Sequence, residues 1–458
     1  MKTWRGCVVV CLSIWAPAAG AQTPLALADA VKLALDNYPA VRTALANVEV
    51  SAAGADLART VYLPRADLLW QMNRATRNNV SGLVLPQPVV AGISGGSGDP
   101  VWSSATGLLV NWEPFDFGVR GANVASADAA LRRASASAEV TELQVATVAA
   151  EAFLNVVTTE QTLRTAEAAV ERARVFHEVV SARVDAGLRP GVDAARARAE
   201  LAVAETQRII AEQNVQVARV ILAQYTGREP ADIVVSPGRL LVLPPGDAPP
   251  AASPTPTLTA PRPAAHPLAT EQNAVIEESR ARLRLLERSY MPRFNVLFNT
   301  YARGTGALPN QSGLAGLRPS VQNWAVGLNV IFPLLDRPAL EAREQAERQR
   351  QVAETARYDR VLEDLDAQMG RAQAVLDGAR RAAGNTPFEL DAARATEQQA
   401  TARYQSGLAN IIEVADAQRL LTKAEIDDVI AKLNVWRGLL LVSAAEGDIE
   451  PFLTRAQP

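Results

Sequence analysis

The chain has 458 residues, with 46 Lys and Arg against 49 Asp and Glu, so its formal charge is −3. This balance excludes a strongly basic surface, and we expect no nucleic-acid partner. Hydrophobic residues reach 48% although aromatic residues are only 5%. Much of the difference is alanine, which favours closely packed helices. Beyond the first twenty residues no run of 18 apolar residues occurs, which argues against a helical membrane protein.

The amino terminus is typical of a secretory signal peptide over residues 1–21. A short basic region precedes an apolar stretch, and the small residues before Gln22 predict cleavage after Ala21. The only cysteines, Cys7 and Cys11, fall inside this segment. The exported chain therefore has no thiol or disulfide, and we expect no metal site and no cofactor.

The sequence contains an internal duplication. At an offset of 220 residues, the matched marks include Gly107 with Gly327, Asp116 with Asp336, Gly187 with Gly407, and Gly227 with Gly447. We therefore expect a first repeat over residues 22–235 and a second over residues 268–458. Residues 236–267 between them hold ten prolines. That composition predicts a solvated spacer in an extended conformation rather than a packed element.

Each repeat contains two segments in which apolar and polar residues alternate with a period of two. Such alternation predicts strands, which we place at residues 62–74, 101–113, 293–303 and 321–332. About ten residues is the length of a tilted strand that crosses a bilayer, and tryptophans at strand ends fit an aromatic girdle. The alternative is the sheet of a soluble protein with one solvent-exposed face.

Each strand pair is followed by a long helical hairpin, at residues 119–227 and 338–447. Residues 122–186 contain no glycine or proline, enough for a helix roughly 100 Å long. A seven-residue spacing typical of coiled coils links Ala149, Val156, Leu163, Val170 and Val184, with His177 in the missing place. In the second hairpin three glycines and Pro387 interrupt the first helix. Because the two hairpins have equal length, we expect a kink absorbed in register rather than a loop.

The expected fold is mainly α with a transmembrane β-barrel portion, built from a duplicated unit of two strands plus long coiled-coil helices. Four strands cannot close on themselves, and a membrane tolerates no open sheet edge. Several chains must therefore share one barrel, eight-stranded with two copies and twelve-stranded with three. The sequence thus predicts a ring-shaped oligomer with a lumen.

This arrangement resembles the TolC-type outer-membrane efflux factor family over nearly the whole mature chain. The motifs that carry the resemblance are Asn37-Tyr38-Pro39, Tyr62-Leu63-Pro64-Arg65, Trp112-Glu113-Pro114-Phe115-Asp116, Arg403-Tyr404-Gln405-Ser406-Gly407 and Glu413-Val414-Ala415-Asp416-Ala417-Gln418. The resemblance implies an outer-membrane homotrimer whose twelve-stranded barrel is continued by an α-helical periplasmic tunnel. It implies the exit duct of a tripartite efflux pump or type I secretion system. The implied partners are a periplasmic adaptor protein and an inner-membrane transporter of RND or ABC type, with outer-membrane lipid around the barrel.

The resemblance also implies a gate at the tip of the second hairpin. Glu413 and Asp416 match the gate acids, and their spacing of three on a helix places both carboxylates on one side. In a trimer they would form two rings of acids that favour cations and raise their own pKa values by mutual repulsion. The alternative is that they are solvated carboxylates without a role.

Two further groups follow from the resemblance. Tyr404 and Asp193 match positions where a closing hydrogen bond ties neighbouring hairpins together, whereas the arginine that completes this latch in some members falls at Ala409. The residues that match the adaptor-docking turns are Arg183, Gly187, Leu188, Arg403, Gly407 and Leu408. Both turns are also expected as helix C-caps, since glycine tolerates the left-handed conformation such caps need.

Other classes of protein fit less well. No Gly-rich phosphate loop, G-x-S-x-G or H-E-x-x-H motif occurs, and His177 and His266 are the only histidines. We therefore expect no enzyme. A periplasmic coiled-coil scaffold without a pore is the alternative function, but it leaves the four Trp-flanked strands unexplained.

Overall fold

The computed structural model describes residues 24–76, 100–244, 263–306 and 312–457. The predicted signal peptide and the middle of the predicted spacer lie outside the described residues. The helices are α1 Leu27–Asn37, α2 Pro39–Arg59, α3 Val119–Asp185, α4 Gly191–Thr226, α5 Pro267–Arg288, α6 Arg337–Gln405, α7 Ile411–Glu446 and α8 Glu450–Ala456. The strands are β1 Arg65–Thr76, β2 Pro100–Phe115, β3 Arg293–Thr305 and β4 Val321–Ile331.

The order of elements repeats once along the chain. A helix, two strands, a very long helix and a return helix occur as α2-β1-β2-α3-α4 and again as α5-β3-β4-α6-α7. The mainly helical fold with four antiparallel strands is therefore confirmed.

The chain forms two compact units that do not coincide with the sequence repeats. One unit comprises Met1–Tyr38, Gln144–Thr257 and Met369–Pro458, and the other comprises Pro39–Leu143 and Leu258–Gln368. Each unit takes segments from both repeats. The reason is that helices of one repeat pack against helices of the other, as the ion pair of Arg172 on α3 with Glu425 on α7 illustrates.

The four strands form one antiparallel sheet in the order β1-β2-β3-β4. One row of directly opposed residues across the sheet is Leu68, Leu108, Thr300 and Trp324. Directly opposed residues share a face. On this face Leu68 is 83% exposed and Trp324 is 74% exposed. The face also carries Trp70, Val110, Phe298, Val326 and Leu328, so it is apolar and uncovered within the chain.

The other face of the sheet carries most of its polar residues, together with Leu69, Leu109 and Leu297. Its directly opposed pairs include Asn295 with Asn329 and Arg65 with Asn111. The alternation expected from the sequence thus concentrates the large apolar side chains, including the tryptophans, on one face and most polar side chains on the other.

The predicted strand ends need small corrections. The prediction that β1 begins at residue 62 is wrong, because Thr60–Tyr62 form a 3₁₀ turn and the strand starts at Arg65, after Pro64. Proline has no N–H to donate to a ladder, which explains this late start. The ends at 74 and 303 are also short, since the pairing of β1 and β3 continues to Thr76 and Thr305.

The long helices are continuous. α3 has 67 residues and α6 has 69, and α6 passes through Pro387 without a loop. Beside that proline, the buried Thr386 hydroxyl donates to Asp428 on α7 at 3.1 Å. One stretch of α3 is long and apolar enough to cross a membrane, but 56% of it is buried in the structure, as in a packed core helix.

The buried positions of α3 differ from the predicted heptad near the tip. Leu163, Val170 and His177 are only half-buried, whereas Ala166, Ala173 and Val180 are buried. A seven-residue period is present, but its phase has moved by three residues, because two alternative stripes of apolar residues exist on this alanine-rich helix.

The predicted spacer is not wholly solvated, which corrects the sequence interpretation. Leu240 is buried in a 3₁₀ turn, and the carbonyl of Val242 accepts a hydrogen bond from Trp436 Nε1 at 3.0 Å. At the other end His266 is buried and caps α5 by accepting from the N–H of Leu268. Proline content predicts an extended backbone but does not exclude packing, because the residues between the prolines can still be apolar.

The corner between β2 and α3 depends on a buried carboxylate. Asp116 accepts hydrogen bonds from the N–H groups of Gly118 and Arg120 and from Arg120 Nε. Burial raises the pKa of Asp116, but these hydrogen bonds and the charge of Arg120 outweigh it and hold the pKa below its usual value. Asp116 therefore stabilises the fold above its unfolded pKa near 3.8, and this contribution is lost as the pH falls through the lower, folded value.

We expect Asp116→Ala to lower the free energy of unfolding by about 2 kcal/mol at pH 7, because it removes a helix cap and leaves Arg120 without its partner. The control is Asp336→Ala, since Asp336 is the duplicated position but is exposed. Thermal melting followed by circular dichroism measures both. Equal losses for the two variants would contradict the assigned role of Asp116.

Candidate functional site

The tips of the two long hairpins have the same backbone conformation. At the first tip the N–H groups of Leu188 and Gly187 donate to the carbonyls of Arg183 and Val184, both at 2.9 Å. At the second tip the N–H groups of Leu408 and Gly407 donate to the carbonyls of Arg403 and Tyr404, at 2.8 and 3.1 Å. Both glycines are left-handed, with φ of 71° and 80°. Each tip is therefore a Schellman C-cap, which requires glycine at this position.

Each cap presents one leucine to solvent. Leu188 and Leu408 are both 73% exposed, although the residue after the glycine of such a cap frequently packs against the helix. The predicted docking residues thus form two structurally equivalent turns, each with an arginine one turn before the glycine and an exposed leucine after it.

Tyr404 lies in the core of the tip region. Its side chain is 1% exposed and its ring centroid lies 5.5 Å from that of Phe176 on α3. The surrounding cluster of buried residues comprises Phe176, Val180, Ala197, Ala400, Ala409, Ile411, Val414 and Ala417. This predicted latch residue therefore joins α6 and α7 of the second hairpin to α3 and α4 of the first.

The second latch residue, Asp193 in the first turn of α4, lies near Tyr404. Burial raises the pKa of the Tyr404 hydroxyl, and the charge of Asp193 raises it further, against the opposing charges of Arg189 and Arg183. The structure thus brings the two predicted latch residues close enough to interact.

Arg189 is a residue of this site that the sequence interpretation missed. Its guanidinium lies 4.6 Å from the centroid of the Tyr404 ring, and its Nη2 donates to the Tyr404 carbonyl at 3.0 Å. The duplication could have identified it, because Arg189 and Ala409 are equivalent at the offset of 220 residues. The arginine that is absent from the second repeat is present in the first.

The predicted gate acids are exposed on α7 and each has an arginine within reach. Glu413 Oε2 lies 3.8 Å from Arg403 Nη2, and Asp416 Oδ1 lies 3.6 Å from Arg419 Nη1. The backbone N–H of Glu413 also donates to the side chain of Asn410, which caps α7. Arg419 could have been predicted from its spacing of three residues after Asp416 on the same helix. Both carboxylates are therefore partly compensated within their own chain.

Arg419 also links α7 to the first repeat. It donates to both carboxylate oxygens of Glu200 on α4, at 3.1 and 2.6 Å, and this pairing raises the pKa of Arg419. Two parallel N–H···O bonds give this pair a defined geometry. Among the described residues, no group of three or more His, Cys, Asp or Glu side chains is placed to hold a metal ion.

Comparisons with known proteins agree with the architecture. A family model described as outer membrane efflux protein matches residues 30–228 and 266–439, which include both hairpin tips. Protein CyaE of Bordetella pertussis is 28% identical over 437 residues, covering 94% of this chain and 86% of that protein.

Solved structures share the fold. The CmeC outer membrane channel of Campylobacter jejuni has a TM-score of 0.75 at 15% identity, over 92% of this chain and 85% of that chain. The outer membrane protein VceC of Vibrio cholerae has a TM-score of 0.71 at 18% identity, over 92% of this chain and 96% of that chain. The predicted resemblance is therefore confirmed, and the chain belongs to the outer membrane efflux protein family.

Proposed function

We propose that this outer-membrane efflux protein is a homotrimer that serves as the passive exit duct of a tripartite efflux pump or a type I secretion system. The observation that carries the proposal is the single open sheet with one exposed apolar face and one polar face. The apolar face fits outer-membrane lipid and the polar face fits a water-filled lumen. A soluble sheet would not leave Leu68 and Trp324 uncovered.

The edges of the sheet support assembly from several copies. β1 and β4 each pair with only one strand in the chain, so each has an unpaired edge. A bilayer has no water to satisfy these backbone groups, and pairing β4 of one copy with β1 of the next removes the edges. Two copies would give a barrel of eight strands, and side chains fill the interior of a barrel of that size. Three copies would give twelve strands, which leave an open lumen.

The burial of the return helices supports the same ring. α4 and α7 are equivalent helices of 36 residues, yet α7 buries 15 residues and α4 only 7. α7 lies against α3 of the first repeat, where Arg437 pairs with Glu151 and donates to Thr158. α4 contacts α1 and, through the Glu200–Arg419 ion pair, α7, but most of its length stays exposed in the single chain, which favours a second copy as its cover.

The uncovered face of α4 has the pattern of a helix–helix contact. Val203, Ile210 and Val217 are exposed with a seven-residue spacing, and we call them the α4 stripe. Val217 is equivalent to Arg437 at the offset of 220 residues, so this end of the stripe lies where α7 makes its contact with α3. By this equivalence the α4 stripe packs on α6 of the neighbouring copy, because α6 is the second-repeat counterpart of α3.

The hairpin tips fit a docking and gating role in the periplasm. The two exposed leucine turns offer repeated, identical contacts for a periplasmic adaptor protein, and an inner-membrane transporter supplies the energy. Arg183, Gly187 and Leu188 form one such contact, and their counterparts at the second tip form the other. Opening requires only that the adaptor binds a splayed state of the hairpins more tightly than the closed state.

Glu413 and Asp416 are the proposed selectivity residues of the closed tip. Their negative charge would favour cations at the constriction, although Arg403 and Arg419 reduce the effect. We expect Glu413→Ala with Asp416→Ala to lower the cation-to-anion permeability ratio in planar bilayers by about twofold or more. The control is Glu171→Ala with Glu212→Ala, which removes two exposed acids elsewhere on α3 and α4.

The outcomes of this experiment separate the proposals. Purified wild-type protein that forms no channel would contradict the duct. A channel whose selectivity is the same in the tip variant and in the control variant would contradict the gate acids only. Selectivity lost in the tip variant alone would support both.

A further inference from the structure

We propose that Arg189 is the positioning residue that holds the tip of the second hairpin closed against the first hairpin of the same chain. The inference rests on the proposed function of the tips as a gate. It assigns the closing contact to an arginine of the first repeat, not to the arginine position of the second repeat, which here is Ala409.

Arg189 makes two contacts with one residue of the last turn of α6. Its Nη2 donates to the Tyr404 carbonyl at 3.0 Å, while its guanidinium lies 4.6 Å over the Tyr404 ring. Tyr404 is itself 1% exposed and packed on Phe176, so the arginine binds a residue that has little freedom to move. Arginine suits this position because its planar fork can donate a hydrogen bond while it stacks on an aromatic ring.

The contact also satisfies a need of the helix end. The last carbonyls of a helix have no partner within the helix and carry partial negative charge, so a cation there is favourable. Arg183 contributes in the same direction, since its Nη1 donates to the Gln405 carbonyl at 3.4 Å. Its guanidinium is 6.0 Å from the Tyr404 ring. Arg189 has the shorter distances in both respects and is therefore the stronger of the two contacts.

The duplicated position in the second repeat, Ala409, cannot make the contact that Arg189 makes. Ala409, the counterpart of Arg189, is 7% exposed and lies inside the cluster around Tyr404. A long cationic side chain at that position would have to displace its neighbours. Arg403, the counterpart of Arg183, donates at 3.5 Å to the Leu408 carbonyl of its own turn. Arg183 and Arg189 thus contact the last turn of α6, whereas their counterparts Arg403 and Ala409 make no equivalent contact with the last turn of α3.

The test compares Arg189→Ala and Arg189→Lys with the control Arg198→Ala. Arg198 is exposed on α4, nine residues away, so its loss changes the charge equally without touching Tyr404. We expect Arg189→Ala to raise the basal conductance of the purified protein in planar bilayers about tenfold, as the loss of a charged hydrogen bond allows. The conductance of Arg189→Lys should lie between those of the wild type and Arg189→Ala, because lysine keeps the charge but lacks the planar guanidinium that stacks on the ring. Arg198→Ala should match wild type.

A second readout does not depend on conductance. The only cysteines of the sequence are Cys7 and Cys11, both in the predicted signal peptide, so a single Ala409→Cys reports on the buried cluster. We expect a maleimide to label it slowly in the wild-type background and about tenfold faster with Arg189→Ala. Unchanged labelling and conductance in Arg189→Ala relative to Arg198→Ala would overturn the inference.

The two readouts also distinguish this inference from the proposed function. A wild-type protein that does not conduct, with labelling that still depends on Arg189, would contradict the duct but retain the closing contact. A lowered melting temperature in Arg189→Ala without faster labelling would show a general structural role and overturn the inference. Arg189→Lys keeps the test valid if the alanine variant fails to fold.

Discussion

Replacing Val203, Ile210 and Val217 together with aspartate is expected to abolish assembly of the proposed homotrimer. Each apolar side chain buried in an interface contributes about 1.5–3 kcal/mol, and the change would instead place three carboxylates against the neighbouring helix. The α4 stripe is exposed in the single chain, so the monomer fold does not depend on it. Light scattering in detergent should give the mass of one chain, and planar bilayers should show no channel.

A matched control uses the adjacent face of the same helix. Ala202, Ile209 and Gln216 have the same seven-residue spacing one position earlier, on a side of α4 that already carries Glu205 and Glu212. Aspartate at these three positions should leave the trimer and its heat-modifiable migration on gels unchanged. Trimers that persist in the stripe variant, or loss of assembly in both variants, would contradict the proposed interface.

Replacing Trp436 with alanine is expected to be the most destabilising single change, costing about 3–5 kcal/mol. Its side chain is 1% exposed and packs edge-on against Phe452, with 6.3 Å between the ring centroids. Its Nε1 donates to the Val242 carbonyl at 3.0 Å. One residue therefore anchors the carboxyl-terminal helix and the first part of the predicted spacer to α7. Thermal melting and the rate of proteolysis after residue 242 measure the loss.

Trp436→Phe separates packing from hydrogen bonding. It keeps an aromatic ring in the site but removes the donor to Val242, so we expect a cost of about 1 kcal/mol. Proteolysis should remain slow in this variant. If phenylalanine and alanine destabilise the protein equally, the hydrogen bond and not the packing holds the segment.

The fold was largely predictable because its two patterns are periodic. Four segments with period two became the four strands, and long segments without breaks became α3 and α6. The tips were predictable because only glycine adopts the left-handed cap at low cost, which marks Gly187 and Gly407 in the sequence. Boundaries were less certain, and β1 begins three residues late because of Pro64.

Side-chain partners were harder to predict. Asp116 and Asp336 are equivalent in sequence, yet one is buried with Arg120 and the other is exposed. Arg189 and Ala409 are equivalent in the same way, and only the structure shows that the arginine lies over Tyr404. A duplicated sequence predicts equivalent backbones, but the two copies have different neighbours, and burial and charge pairing depend on those neighbours.

The sequence alone determined the repeated order of strands and hairpins, the alternation of the sheet, and the glycine caps at the tips. These features depend on local periodicity and backbone conformation, which a short segment carries by itself. Only the tertiary structure decided which stripe of the alanine-rich α3 is buried, that the start of the spacer packs on Trp436, and that an arginine of the first repeat lies over Tyr404. These depend on contacts between residues more than 190 positions apart in the chain, and alanine-rich helices offer several similar faces between which only packing chooses.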